Sequence, residues 1–277
     1  MHPIKQVPRM PLNVPAPYDD IVDFACRSAD AAGAVILPLF RKGPVTEDKT
    51  GNAVGQFDPV TVADKGAEQA IRMLIEKERP QDAILGEEFE NKDGTSGATW
   101  VIDPIDGTRA FIAGMPTWGT LIGYNDGKRP VVGVMDQCFV GDRFIGWPGG
   151  AALMRRGVIT PLKTRPCADL SDAIFACTTP ELFSTPREQD AYDTLLRETK
   201  MLRLGTDCYA YCLLAHGLID IVLEAGLKPF DIQALIPIVE GAGGMVTDWH
   251  GGSPQDGGQV VATGDQALHE RVLKMLS

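Results

Sequence analysis

The sequence predicts two halves in one chain, an α+β half followed by an α/β half. Three observations predict it: two amphipathic helical patterns at the start, a series of short strand-like runs separated by turns, and an alternation of strands and helices beyond residue 171.

Tyr18-Asp19-Asp20 opens the first helix, which the pattern carries to about Arg41 with Ile21, Phe24, Ala25, Ala32 and Val35 on one face. A polar, glycine-containing loop spans Lys42 to Phe57. The second helix runs from Thr61 to Lys77 on a stripe of Ala63, Ala67, Ala70, Ile71 and Leu74, and Pro80 stops it. Strand-like runs follow at Ala83–Leu85, Thr99–Ile102, Thr120–Tyr124, Val131–Met135 and Arg143–Trp147, which predicts a mostly antiparallel sheet behind the helix pair.

The polar, proline-containing segment Arg155 to Ser171 reads as a boundary. It divides the chain into an N-terminal extension (1–17), an α+β half (18–155) and an α/β half (156–277). In the last, strands at Ala173–Cys177, Met201–Leu204, Ile219–Leu223, Met245–Thr247 and Gln259–Ala262 alternate with helices. Those helices lie near Arg187–Arg197 and at Asp207–Gly217, Ile232–Ala242 and Ala267–Leu276.

The 277 residues carry 26 Lys+Arg against 37 Asp+Glu, a formal charge of −11, with 44% hydrophobic and 23% charged residues. Such a chain buries roughly three quarters of its unfolded surface without disulfides or zinc. Its acidity excludes a nonspecific nucleic-acid or anionic-membrane binder. The N-terminal segment has no apolar core for a signal peptide, and no stretch of 18 apolar residues exists to span a membrane. Six cysteines without C-x-x-C or zinc-finger spacing read as reduced thiols of a cytoplasmic protein. The four histidines are scattered and carry no assigned chemistry.

The acids carry more information. Glu87-Glu88 ends a strand, Asp103 and Asp106 lie just past another, Asp58 and Asp64 flank Pro59-Val60-Thr61, and Asp231 opens an apolar helix. Carboxylates at strand ends and helix starts face ligand crevices. An Asp before a helix is also a common N-cap, so Asp58, Asp64 and Asp231 each admit that plainer reading. Asp103-Pro104-Ile105-Asp106-Gly107-Thr108 is harder to explain by packing: Pro104 keeps the chain out of a helix, so both carboxylates and the Ile105 carbonyl can face one ion. Oxygen ligands without His or Cys select Mg²⁺, Mn²⁺ or Ca²⁺ over zinc. Gly107-Thr108 opens a helical turn whose free N–H groups suit an anion. The hexamer is not a D-x-D-G-T phosphotransferase signature, because Pro104 stands where the nucleophilic Asp would be. Gly241–Val246 follows a helix rather than a strand, and reads as a helix-terminating turn rather than a dinucleotide fingerprint.

Asp58-Pro59-Val60-Thr61-Val62-Ala63-Asp64, Gly86-Glu87-Glu88, Trp100 through Thr108, and Phe230-Asp231 leading to Glu240–Gly244 resemble the successive signatures of the inositol monophosphatase superfamily. The resemblance spans residues 20 to 270. It implies a layered α-β-α-β-α sandwich, two or three Mg²⁺ ions per site (with Mn²⁺ as a possible substitute), lithium sensitivity in many members and a homodimer. By position it makes Glu87, Asp103, the Ile105 carbonyl, Asp106 and Asp231 the metal ligands, and Asp58 with Thr108 the pair that helps activate water. Arg203–Tyr211 and Glu224–Asp231 are similar to the histidinol-phosphate phosphatase branch, whereas inositol phosphatases usually carry Gly-Ser-Ala at Gly205–Asp207 and Trp-Asp at Phe230-Asp231.

The expected reaction is phosphomonoester hydrolysis by metal-activated water, with no phosphoenzyme. Gly107 and Thr108 N–H groups would hold the phosphate. L-Histidinol phosphate, with its ammonium and imidazole, suits the acids Asp207 and Glu224, and Arg203 is a candidate contact to phosphate or leaving group. An inositol-1-monophosphatase, or a broader small-molecule phosphatase, is the alternative within the superfamily. A catalytically idle, metal-binding regulatory dimer is the alternative outside it.

Overall fold

The structure, a computed structural model, describes residues 12–42, 46–48 and 59–276. Helix α1 (Tyr18–Ile36) and helix α2 (Val62–Glu78) pack side by side. Helix α1 ends five residues earlier than its pattern suggests. Pro38 has no N–H for the Ala34 carbonyl, and the chain tightens to a turn in which the Leu39 and Phe40 N–H groups both reach the Ile36 carbonyl.

A short pair, β1 (Thr46–Asp48) and β2 (Pro59–Thr61), leads into α2. The helix pair lies on a seven-stranded sheet in sequence order: β3 (Ala83–Gly86), β4 (Thr99–Asp106), β5 (Gly119–Asn125), β6 (Pro130–Gln137), β7 (Asp142–Trp147), β8 (Gly150–Arg155) and β9 (Val158–Pro161). Only β3–β4 is parallel. The sequence pattern marks the first five of these strands. β8 and β9 carry the sheet on to Pro161, past the division read at residue 155.

A second, mixed sheet has the order β11 (Met201–Leu204), β10 (Ile174–Cys177), β12 (Ile221–Leu227), β14 (Gly258–Thr263), β13 (Met245–Asp248). Helices α5 (Asp207–Ala215), α6 (Pro229–Ile232) and α7 (Leu235–Gly241) lie between the sheets. Helices α4 (Pro186–Glu198) and α8 (Gln266–Leu276) cover the outer face of the second sheet. The short helix α3 (Thr108–Ala113) follows β4. Three apolar clusters separate these layers. The result is the expected α-β-α-β-α sandwich.

The helix predicted over Ile232–Ala242 is α7, beginning three residues later at Leu235, and the short α6 precedes it, sharing only Ile232 with the predicted span. Pro237 offers no N–H to the Gln233 carbonyl, and the chain breaks at Gln233-Ala234. That break rests on three glycines from neighbouring strands. Gly123 pairs with Gly133, which pairs with Gly146. A Cβ on Gly133 would stand 1.8 Å from the Ala234 carbonyl oxygen, and one on Gly146 2.3 Å from the Ile238 nitrogen. The bare backbone lets α6 and α7 settle onto the sheet, and α6 carries Asp231.

Candidate active site

Asp103 and Asp106 lie three positions apart on β4, where a regular strand would point them to opposite faces. The pairing with β5 slips instead: Asp103 is opposite Leu121 and Asp106 opposite Gly119. This bulge turns both carboxylates to one side. Asp103 Oδ1 accepts the Ile105 N–H at 3.0 Å, and the Pro104 carbonyl accepts the Thr120 hydroxyl at 2.8 Å, fixing the turn.

Asp231 arrives from the other half. Asp231 is not the N-cap of the plainer reading: Lys228 holds that position, and Asp231, at the third position of α6, accepts the Lys228 N–H with Oδ2 at 2.7 Å. It also joins the cluster: one carboxylate oxygen from each of Asp103, Asp106 and Asp231 lies within 4.8 Å of the others. Glu87 follows β3, where its N–H reaches the Ile102 carbonyl at 3.2 Å and its carboxyl group meets Asp103.

Asp58 lies outside the described residues. Among the described residues, the carboxylate beside Thr108 is Asp64, which divides its two oxygens between two tasks. Oδ2 takes the Thr61 N–H at 2.9 Å and the Thr61 hydroxyl, completing a capping box at the start of α2. Oδ1 stands 3.5 Å from Thr108 Oγ1, which also sits 3.1 Å from the Ile105 carbonyl oxygen. Gly107 precedes Thr108 with φ +84°, and a Cβ there would stand 3.1 Å from the Asp207 side chain and 3.2 Å from Trp118 Cα. Only glycine passes through that gap.

Asp207 does not cap α5. It holds a left-handed φ of +43°, and its Oδ2 lies 3.5 Å from the Thr117 hydroxyl. The N–H of Cys208 goes to Asp106 Oδ2 at 2.7 Å. Glu224 is 2% exposed on β12; Oε1 accepts the Thr178 N–H at 2.8 Å and hydroxyl at 2.9 Å, while Oε2 is buried with no hydrogen-bond partner among the described residues. Arg203 is exposed on the edge strand β11, with no hydrogen bond or ion pair to these acids among the described residues.

So many carboxylates resist ionising together. Burial, then the charges of Glu87, Asp106 and Asp231, push Asp103 well above its ordinary range. Burial, then Asp207 and Asp231, do the same to Asp106, against the Cys208 N–H. Burial raises Asp64 to about 6 against its bonds from Thr61, with Glu87 adding to the rise. It raises Asp207 to about 6 against Thr117 and Arg109. Glu224 goes to about 8, by burial and then the charges of Asp207 and Asp231, despite Thr178. Such an all-oxygen donor set, costly to hold as anions, fits a hard divalent cation. Cys208 is no competing soft ligand: burial and the neighbouring Asp106 hold its thiol protonated.

The sequence profile of the inositol monophosphatase family matches residues 18–277. The chain belongs to that family. It is 40% identical to the bifunctional phosphatase IMPL2, chloroplastic, of Arabidopsis thaliana, over 90% of this chain and 72% of that protein. It is 32% identical to a histidinol-phosphatase of Chlorobaculum parvum, over 91% and 95% of the two chains. A solved structure of an inositol monophosphatase from Zymomonas mobilis is 38% identical and superposes with a TM-score of 0.82, covering 95% of this chain and 99% of that one. The protein is thus a metal-dependent phosphomonoesterase of the inositol monophosphatase family, a family that depends on Mg²⁺. No helix among the described residues is long and apolar enough to cross a membrane.

Two residues at the site escape the sequence reading. Tyr211 lies one helical turn beyond Asp207 on α5, buried, with its hydroxyl near Glu224, Asp106 and Asp231 and without a hydrogen-bond partner among the described residues. Glu68 lies one turn beyond Asp64 on α2 and is 0% exposed. The available signal was the same in both: a polar group at i+4 from a site acid, within an otherwise apolar face.

Proposed function

We propose that the protein is a histidinol-phosphatase, hydrolysing L-histidinol phosphate to L-histidinol and phosphate. The observation that carries this reading is Glu224 Oε2, a buried carboxylate oxygen with no hydrogen-bond partner among the described residues, grouped with Asp207 and Asp231 on the second-half side of the cluster. A cationic leaving group brought beside that carboxyl favours its ionised form and gains from the charge, and a neutral polyol does neither. The similarity to named histidinol-phosphatases supports the same choice.

In this reading Glu87, Asp103, the Ile105 carbonyl, Asp106 and Asp231 would hold Mg²⁺. Bound there, the cations would neutralise phosphate charge and make water more acidic. Thr108 Oγ1 would orient the attacking water. The proton the water loses would pass to a carboxylate at this hydroxyl, Asp58 by the family resemblance or Asp64, whose Oδ1 stands 3.5 Å from Thr108 Oγ1. The N–H groups of Gly107 and Thr108, at the start of α3, hold phosphate oxygens in line. Water attacks phosphorus, the ester P–O bond breaks, and the leaving alkoxide takes up a proton as the alcohol departs, with no phosphoenzyme. Asp207 and Glu224 receive the ammonium and imidazole. The compartment and assembly that accompany this reading are cytoplasmic and homodimeric.

Phosphate release from L-histidinol phosphate and inositol 1-phosphate, each with and without Mg²⁺, tests the proposal. The expected result is a kcat/KM at least tenfold higher for histidinol phosphate, falling toward parity in Glu224→Gln. A preference for inositol phosphate that Glu224→Gln and Asp207→Ala leave unchanged would overturn it and favour the inositol-1-monophosphatase reading, which the similarity to the Zymomonas mobilis protein supports.

A further inference from the structure

Behind the turn that carries Glu87 lies a partly buried ion pair that no step above uses. Glu68 is fully buried on α2. Its Oε1 accepts Arg72 Nε at 2.7 Å, one helical turn along, and its Oε2 accepts the Glu88 N–H at 2.8 Å. Arg72 Nη2 donates to the Phe89 carbonyl at 3.2 Å, and its guanidinium lies 5.8 Å from the Phe89 ring centroid. The pair therefore grips the Glu88 amide and the Phe89 carbonyl together. On the other side of Glu87, its own N–H is held by the Ile102 carbonyl.

Gly86 explains why the carboxylate can come so close. A Cβ on Gly86 would stand 2.0 Å from Glu68 Oε1 and 2.9 Å from Arg72 Nη2. The space of the missing side chain is filled by the Glu68–Arg72 pair. A surface Gly-Glu-Glu turn needs no such support, and a partly buried charge pair is an expensive way to brace a loop that only has to reverse direction. What it braces is the residue between the two anchored amides.

We infer that Glu68, paired with Arg72, is a positioning residue that fixes the backbone on which Glu87 faces Asp103. This rests on the reading of Glu87 as a metal ligand. The same helix thus serves the site twice, through Asp64 to Thr108 and, one turn later, through Glu68 to the Glu87 turn. Residues that orient a ligand in this way affect metal affinity by roughly 10–100-fold without touching the ion.

The test is Mn²⁺ binding to metal-stripped full-length protein, followed by electron paramagnetic resonance, for wild type, Glu68→Ala, Glu68→Gln and Glu87→Gln. KM for the phosphomonoester is measured in parallel at saturating metal. The expected result is Mn²⁺ affinity at least tenfold weaker in Glu68→Ala, with Glu68→Gln between it and wild type, and KM within twofold throughout the Glu68 series. If Glu68→Ala does not fold, the near-isosteric Glu68→Gln decides: a loss of threefold or more supports the inference, and an unchanged affinity overturns it. Wild-type affinity in Glu68→Ala together with a clear loss in Glu87→Gln overturns the positioning role alone. Wild-type affinity in Glu87→Gln overturns the ligand reading itself, and the positioning role with it.

Discussion

The backbone N–H of Cys208 donates to Asp106 Oδ2 at 2.7 Å, so a carboxylate from the first sheet supplies the hydrogen bond that opens a helix of the second half. Asp106 also lies in the three-carboxylate cluster with Asp103 and Asp231. One side chain therefore ties the two halves together and contributes charge to the site. Substitutions that separate charge from hydrogen bonding should separate these roles.

Asp106→Asn keeps an oxygen for the Cys208 N–H and removes a charge. Phosphatase activity should fall at least a hundredfold, while the metal-free protein melts at or above the wild-type temperature because a repulsive buried carboxylate is gone. Asp106→Ala loses the bond as well and should cost about 1 kcal/mol relative to Asn. Thermal melts with and without Mg²⁺ check both: the Mg²⁺-dependent rise in Tm should be largest for wild type.

Thr108 and Asp64 are expected to act in the chemical step rather than in binding. Thr108→Val preserves shape and removes the hydroxyl between Ile105 and Asp64. Losing a proton-transfer partner of this kind lowers kcat by on the order of 10²–10⁴. Steady-state kinetics should show that loss with KM changed less than threefold; a raised KM with kcat unchanged would place Thr108 in binding.

Gly133→Ala tests the glycine row under the α6–α7 break. The added methyl group meets the Ala234 carbonyl oxygen at 1.8 Å, backbone that cannot swing aside. Overpacking of this sort costs about 1–3 kcal/mol, a fall in Tm of several degrees for a chain this long. Displacement of α6 should also weaken Mn²⁺ binding through Asp231, although Gly133 touches no ligand.

His269 sets an acid limit on stability. It is 1% exposed, with Nε2 and Nδ1 each 3.0 Å from a threonine hydroxyl, of Thr247 and Thr263. Burial lowers its pKa from 6.5, against a smaller opposing effect of Glu270. Because the folded value lies below the unfolded one, the unfolded chain binds the proton more tightly. Its contribution to stability is then complete above pH 6.5 and declines as pH falls through that value. Melting temperatures from pH 8 to 5 should fall less steeply in His269→Gln than in wild type.

Periodicity and composition were enough to read the helix pair, the antiparallel sheet and the alternating half, because each element's apolar spacing is a local property. The breaks were less legible. The end of α1 and the α6–α7 division both follow from a proline several residues downstream, whose missing N–H leaves an earlier carbonyl without its helical partner. Strands β8 and β9 went unread because the turn between them, Arg156-Gly157, lies at what composition marked as a boundary.

The sequence by itself determined that Asp103 and Asp106 flank Pro104 next to a strand, which in fact runs on through both of them, and that the chemistry of such a set is oxygen ligation of a hard cation. It also placed Asp207 and Glu224 in the segments similar to histidinol-phosphate phosphatases. Only the tertiary structure decided that a β-bulge brings the two aspartates to one face, and that Asp231 meets them across a glycine-lined contact. It likewise decided that Asp64 faces Thr108, and that Glu68 fills the space Gly86 leaves. The reason is physical: residue type and spacing specify what a group can bind, but which carboxylates meet depends on strand register and on backbone close approach between segments distant in sequence.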